Sequence, residues 1–301
     1  MRACLLGTAA GGGLPQWNCA CAMCIQARQR GGARTQDCLA VTGAGEKWYL
    51  VNASPDIRAQ ILATPELAAG PGRRETPVAG ALLTDAELDH TIGLLMLREG
   101  SPLEVYGPAP VLDALASGFP VRLVLGPYGS VSWHEVRPGT AFILDEQLSV
   151  TVVPLSAKRP RYIAAAQTQM TEGAAALDPW VVGYRFDDLV TGGSLVYAPC
   201  LAAWTEPLSE ALTGATCVVL DGTFFRDDEM LRATGQDRPA CSMGHLPITH
   251  TCPLLRACPA ARRLYTHLNN TNPALAAHSP ERAMLAAAGI EVAHDGLMLD
   301  L

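Results

Sequence analysis

The sequence predicts an α/β fold, and its order of elements fits two β-sheets with helices outside them, a topology that periodicity by itself does not fix. Short, β-branched apolar segments recur along the whole chain. Helical patterns alternate with them in the second half, whereas strands dominate the first. The 28 Gly and 22 Pro are spread throughout, which suits many turns between short elements. Hydrophobic residues make up 49% of the 301 and charged ones 17%, enough apolar surface for a large core. No internal repeat or low-complexity linker marks a boundary, so one domain over residues 1–301 is expected.

Taken in order, Met1–Thr8 reads as the first strand. Lys47–Val51, Pro77–Leu83, Leu103–Tyr106, Leu148–Val153, Val181–Phe186, Ser194–Ala198, Cys217–Asp221 and Leu264–Thr266 follow, each short and apolar. Helices are expected over Asp56–Ala63, Asp89–Glu99, Ala109–Ser117, Leu208–Leu212, Asp228–Thr234, Ile248–Cys258 and Pro280–Ala288. The first should stop before Pro65, which disfavours helix at the preceding residue.

A formal net charge of −7 argues against a nucleic-acid partner bound through a broad basic face. No apolar run reaches the roughly 18–20 residues of a membrane span. The apolar start is too short for a secretory signal. Ten cysteines without the spacing of a small secreted scaffold suit a reduced, cytoplasmic protein. Cys217, inside an apolar strand, reads as a small core hydrophobe.

The densest chemistry is Thr84-Asp85-Ala86-Glu87-Leu88-Asp89-His90, a strand-to-helix turn carrying four ionisable side chains. Rigid strands present such turns to ligands. Asp89 and His90 can give a carboxylate oxygen and an imidazole nitrogen to one metal. The plain alternative is a solvated acidic turn in which Thr84 or Asp85 caps the following helix.

Cys19, Cys21 and Cys24 form a Cys-x-Cys-x-x-Cys run, a spacing that lets one turn wrap a zinc ion. Three thiolates without an open cleft imply a structural zinc, pinning the Gly11-Gly12-Gly13 loop to the body of the fold. The alternative is three unconnected buried thiols. Among the seven histidines, His267 ends an apolar strand and opens the polar turn Leu268–Pro273. His245 sits in a glycine loop before a helix, placed to contact substrate or move a proton, or simply to lie on the surface. His134, His250, His278 and His294 read as structural or exposed.

The 84–90 turn resembles the metallo-β-lactamase superfamily signature, Thr-His-x-His-x-Asp-His after a strand. Thr84, Asp89 and His90 fit it, while Asp85 and Glu87 stand where the superfamily has two histidines. The resemblance implies the layered αββα sandwich of two mixed sheets. It also implies a last metal ligand at His267 and a fourth zinc ligand at Asn270, with a water or another residue as alternatives there. The hydrolytic histidine near Pro154–Ala157 is missing, and Pro199-Cys200 replaces the bridging aspartate. One metal-ligand set therefore remains of two. Asp89, His90 and His267 make a two-histidine, one-carboxylate set of the kind that holds non-haem Fe²⁺, and Zn²⁺ could occupy it too. Asp85 and Glu87 would then act beside the metal as acids, bases or hydrogen-bond partners. For Glu87 the alternative is pairing with a nearby arginine.

Longer phrases narrow the match. Leu6–Cys19, Asn52–Ile57, Asp221–Phe224, Met243–Ile248 and His267–Pro273 are similar, in the same order, to the pyrroloquinoline quinone biosynthesis protein B family. Cys200 falls where that family suggests glycine. The resemblance covers essentially the whole chain. It implies a cytoplasmic role in making the cofactor PQQ, with O₂ and a Glu-Tyr-derived small molecule or dipeptide as substrates and other pathway proteins as partners. The implied step is iron- and oxygen-dependent hydroxylation of the tyrosine ring. The alternatives are a metal-dependent hydrolase of the precursor peptide and a non-catalytic carrier for PQQ or its precursor. Substrate carboxylates call for positive charge, and Arg58, Lys158, Arg159, Arg161 and Arg226 are the candidates.

Overall fold

The computed structural model describes residues 1–43, 45, 47–99, 102–167 and 179–301. Its first half contributes β1 (Arg2–Gly7), β2 (Cys38–Thr42), β3 (Trp48–Val51), β4 (Val78–Leu82), β5 (Leu103–Gly107) and β6 (Val131–Glu135). The second contributes β7 (Ala141–Leu144), β8 (Leu148–Ser156), β9 (Val181–Asp188), β10 (Ser194–Ala198), β11 (Cys217–Asp221), β12 (Arg262–Thr266), β13 (Glu291–Val292) and β14 (Leu297–Asp300). They form two seven-stranded sheets, ordered β14-β1-β2-β3-β4-β5-β6 and β13-β12-β11-β10-β9-β8-β7. Both are mixed: β3 to β6 run parallel in one, β10 to β13 in the other.

Three apolar layers hold the sandwich together. Between the sheets, Leu5, Val41, Val51 and Leu82 meet Val150, Tyr184, Phe186 and Val219. On the outer face of the first sheet, Leu50, Ala81 and Val105 pack beneath Ile57 of α2 (Ile57–Ala63) and Val111 of α4 (Ala109–Asp113), where α1 is Ala22–Arg30 and α3 is Leu88–Thr91. On the outer face of the second, Val196, Val218 and Tyr265 pack beneath Leu208, Leu255 and Leu285. Those three leucines belong to α7 (Glu206–Leu212), α9 (Ile248–Ala257) and α10 (Pro280–Ala287), α5 being Val121–Leu125, α6 Arg161–Gln167 and α8 Glu229–Thr234. Period-two alternation supplies the two apolar faces that each sheet needs. Among the described residues, no helix is long and apolar enough to cross a membrane.

Polar stitches close one end of the sandwich. Val182 N donates to the Thr84 carbonyl at 2.8 Å, and the Tyr184 hydroxyl to that of Leu83 at 2.7 Å. Leu268 N donates to Thr8 O and Ala10 N to Leu268 O, each at 2.9 Å. The carboxylate of buried Asp37 accepts from the hydroxyls of Tyr197 and Thr266.

The expected strands and helices are present, with differences that have physical reasons. The helix expected over Asp89–Glu99 is one α turn, α3, followed by a 3₁₀ segment at Ile92–Leu97. Gly93 donates to the Ala53 carbonyl, and a Cβ on it would lie 2.1 Å from Ser54 O, so neighbouring backbone dictates the local path. The helix from Ala109 passes into a wider π turn at Ala114–Gly118. Strands β6 and β7, not expected from the sequence, close sheet edges: Val131 and Trp133 of β6 and Phe142 and Leu144 of β7 turn inward, too short an inward face for the pattern to mark a strand.

Glu229 of α8 is a buried acid whose titration reads out this packing. Its Oε2 accepts from Phe225 N at 2.6 Å and its Oε1 from the Thr271 hydroxyl at 2.6 Å. Burial outweighs those bonds and raises its pKa from 4.5 to about 7. The folded state thus binds more protons than the unfolded one between those values, and stability falls as pH rises through the window. Glu229→Gln should remove about 3 kcal/mol of that pH-dependent loss. Urea midpoints of both proteins, compared at about pH 5 and about pH 8, check it.

Candidate active site

Four strand ends meet at the stitched edge. Strand β4 runs into Leu83–Asp85, β10 into Pro199-Cys200, β11 into Gly222-Thr223 and β12 into His267. Parallel pairing aligns the ends of β10, β11 and β12, with Ala198 opposite Leu220 and Asp221 opposite Thr266, while β4 reaches the same edge from the facing sheet. Side chains leaving the carboxyl ends of parallel strands therefore converge on one cleft.

The first turn is drawn tight by Asn52, whose left-handed backbone (φ 67°) turns its Oδ1 onto Thr84 N at 3.0 Å. Asp85 is buried and faces inward. Its Oδ1 accepts from Glu87 N at 2.9 Å, and its Oδ2 lies 2.8 Å from the Thr84 hydroxyl and 2.7 Å from His90 Nδ1. The solvated helix cap expected as the plain alternative is not what forms. Asp85 is buried, and the cap position of α3 is Glu87, with no side-chain cap bond. The Asp85 carboxylate closes its own turn while gripping the histidine five residues on. Asp89 begins the short α3 and turns its carboxylate into the cleft against Gly11, where a Cβ would lie 2.6 Å from Asp89 Oδ2.

His267 also has a left-handed backbone (φ 55°), which costs a residue of this type on the order of 1–3 kcal/mol. The Thr223 hydroxyl lies 2.6 Å from Asp221 Oδ1 and 2.7 Å from His267 Nδ1. Donating to the carboxylate, it accepts from the imidazole. Asp221 Oδ2 meanwhile lies 2.7 Å from Nδ1 of His245, whose ring stacks on His267 with centroids 5.5 Å apart.

Both His90 and His267 are thus held through Nδ1 by an oxygen acceptor, which turns each Nε2 away from those acceptors and towards the cleft. These two Nε2 atoms are buried and have no hydrogen-bond partner. Each lies 3.9 Å from Asp89 Oδ2, too far for a hydrogen bond and about twice a metal–ligand bond. This donor set fits a divalent ion. The groups gathered here also include Cys200, which donates an Sγ within 4.8 Å of a nitrogen on each of the two histidines.

The charges follow from the geometry. Burial alone would lower the His90 pKa, but the charges of Asp85 and then Asp89 raise it to about 10. Burial would raise that of Asp85, yet His90 outweighs it and holds the carboxyl at about 2. His267 is lowered to about 4 by burial and the positive charge of His90 and His245, so its lone pair is free at neutral pH. Asp221 is lowered as His245 overcomes its burial, whereas Glu87 is raised by burial and then by Asp85 and Asp89.

The cleft of about 200 Å³ is lined by Glu87, Lys158, Phe224 and His245 beside the groups above. Of the five basic candidates, Lys158 alone lines it, with its ammonium donating to the Met243 carbonyl. Arg159 lies over the Trp180 ring, Arg226 pairs with Glu281, and Arg58 and Arg161 are exposed elsewhere. His134, His250, His278 and His294 are all exposed. Asp221, Thr223 and Cys200 were not singled out as site residues from the sequence. Asp221 carried a usable signal, an ionisable side chain at the end of a buried apolar strand, as His267 is after Leu264–Thr266.

The three cysteine sulfurs of the 19–24 run lie within 4.8 Å of one another, at the start of α1. The Asn270 amide projects among them, 3.2 Å from Cys19, 3.6 Å from Cys21 and 3.2 Å from Cys24. Three sulfurs and a carboxamide able to turn its oxygen inward suit zinc. Asn270 follows His267 by three residues, so this clip also fastens the turn that carries His267. All ten cysteines are free thiols.

A family model described as a β-lactamase superfamily domain matches residues 47–268. The coenzyme PQQ synthesis protein B of Cupriavidus necator is 41% identical over 99% of this chain and 98% of its own. A zinc-bound PqqB from Methylobacterium extorquens superposes with a TM-score of 0.89 at 35% identity, covering each chain fully. A diphosphatase of the PhnP family gives 0.69 at 20% identity over all of this chain and 97% of that one, a likeness of fold alone.

Replacing Asp85 by Asn should remove the charge that keeps His90 protonated. In metal-free protein the His90 ring, protonated through neutral pH in the parent, should then titrate below it. Imidazole C–H shifts in an NMR titration report this, and an unchanged curve would break the pairing.

Proposed function

The chain belongs to the coenzyme PQQ synthesis protein B family of the β-lactamase superfamily, and from that premise we propose an iron- and oxygen-dependent hydroxylase. Its substrate on this reading is the tyrosine ring of a Glu-Tyr-derived PQQ precursor. The observation that carries the proposal is the pair of orphaned Nε2 atoms on His90 and His267, equidistant from the Asp89 carboxylate at the wall of an open cleft. Two neutral imidazoles and one carboxylate would hold Fe²⁺ and leave positions for oxygen and substrate. Bound there, the ion would supply the redox chemistry that activates O₂, with an external two-electron reductant such as ascorbate and two protons accounting for the second oxygen atom as water.

A one-metal reading is supported by Asp85. It stands where a hydrolytic relative has a ligand histidine, yet its carboxylate is spent on His90 Nδ1, the Thr84 hydroxyl and Glu87 N. A water bridged between two metals, the usual nucleophile of such hydrolases, needs a second ligand set.

The other residues take definable parts. Asp85 orients His90 and keeps it a strong donor, and Thr223 does the same for His267. His245, backed by Asp221, is placed to take the phenolic proton and return it. Glu87, with its raised pKa, can carry a proton within the same cleft. Lys158 meets a substrate carboxylate, and Phe224 offers an apolar face to the ring. The Cys19–Cys24 clip and Asn270 would hold a structural Zn²⁺.

Protein loaded anaerobically with Fe²⁺, then given a glutamyl-tyrosine-type substrate, ascorbate as two-electron donor and air, should consume oxygen and yield a product heavier by one oxygen atom. Peptide cleavage instead would mark a hydrolase, and tight binding without turnover a carrier. His267→Ala should abolish turnover while the clip keeps its zinc, as metal analysis would show. Activity that survives it sinks the ligand assignment. His245→Ala should lower kcat by about 10²–10⁴-fold. Lys158→Ala should act chiefly on KM.

A further inference from the structure

Cys200 ends β10 beyond Pro199 and opens onto the same cleft as the two orphaned imidazoles. A nitrogen of His90, a nitrogen of His267 and Cys200 Sγ all lie within 4.8 Å of one another. Both histidines are buried, 1% and 4% exposed, and their Nε2 atoms lack partners. The sulfur is held in place by the backbone that follows it. Leu201 N donates to Asp221 Oδ2 at 2.7 Å, and the Leu201 carbonyl accepts from Leu246 N at 2.6 Å. One carboxylate of the site therefore anchors both the thiol-bearing turn and His245.

We propose that Cys200 is a fourth protein donor to the metal held by Asp89, His90 and His267, so that this chain has a mixed nitrogen, oxygen and thiolate centre. The inference rests on the metal-site reading above and deepens it. As the metal–sulfur bond forms, the thiol proton leaves to solvent, because a coordinating thiol is deprotonated outright. A soft thiolate biases the site towards Zn²⁺, Co²⁺ and Fe²⁺ over Mg²⁺ and Mn²⁺. It also leaves fewer positions for exogenous ligands than three donors would, and its charge favours the oxidised state of a redox-active ion. None of this is available to a residue without a side-chain donor at position 200.

Co²⁺ is a suitable probe because its visible d–d bands report binding and its near-ultraviolet sulfur-to-metal charge transfer reports a thiolate ligand. Full-length protein with zinc kept in the clip and the cleft emptied by a mild chelator is titrated with Co²⁺ under anaerobic conditions. The parent should show both features. Cys200→Ala should keep the d–d bands, lose the charge-transfer band and bind Co²⁺ at least about tenfold more weakly, a cost that even removal of a hydrogen-bond partner to a ligand carries. In parallel, iodoacetamide labelling of Cys200, followed by peptide mass, should be slowed by Zn²⁺ in the parent and not in His267→Ala. If Cys200→Ala gives the parent spectrum and affinity, with labelling indifferent to metal, Cys200 is no ligand while the three-donor site stands. If Co²⁺ does not bind, or binds alike in His267→Ala, the metal-site reading falls and this inference with it.

Discussion

Buried polar atoms in a folded protein are nearly always paired, and leaving one bare costs about 1–3 kcal/mol. His90 Nε2 and His267 Nε2 break that rule within one small volume, next to a carboxylate too distant to satisfy them. Everything around them is arranged to keep it so. If His90 rotated about its outer bonds it would lose Asp85, and His267 in the same way would lose Thr223. The fold has thus fixed two imidazoles by their far sides and offered the near sides to a ligand.

The two histidines are secured by different means. His90 is held by charge, in a pair with Asp85 that burial would otherwise oppose and that raises the imidazole to about 10. His267 is held by a neutral relay through Thr223 to Asp221, with burial keeping the ring unprotonated. One imidazole must therefore shed a proton to accept a metal and the other need not. Asp221 is shared further, since it also sets His245 and the turn after Cys200. The left-handed backbone of His267 is stabilised from two sides, by Leu268 pairing with the first strand's extension and by Asn270 among the clip sulfurs. The cysteine clip is thereby mechanically part of the cleft, although its sulfurs do not face the ligand space.

On the proposed reading the scaffold's usual chemistry would change without a change of fold. Asp85 orients His90 where the superfamily signature places a metal-binding histidine, which would leave one ligand set rather than two. The cleft gathers the Lys158 ammonium, seated against Met243 and Gly244, the Phe224 ring and the Asp221-backed imidazole of His245. On the proposed reading those groups would meet the carboxylate and ring of a phenol-bearing substrate.

Much of this was legible in the amino-acid order. Apolar strands such as Cys217–Asp221 and Leu264–Thr266 announced themselves because both faces of a central strand are buried. The 84–90 turn, the tight cysteine spacing and the strand-end His267 each carried local chemistry. What remained hidden is whatever depends on pairing across the chain. Edge strands β6 and β7 turn just two side chains each towards the core, too few to announce a strand, and the 3₁₀ path after His90 is set by the backbone at Ala53 and Ser54. Lys158 could not be separated from four arginines, because a cleft wall is defined by segments 85 residues and more apart. Asp221 and Cys200 gain their meaning only from parallel registry, which brings the ends of β10, β11 and β12 side by side. Local sequence decides what each strand end can donate; long-range hydrogen-bonded pairing decides which donors share one point in space.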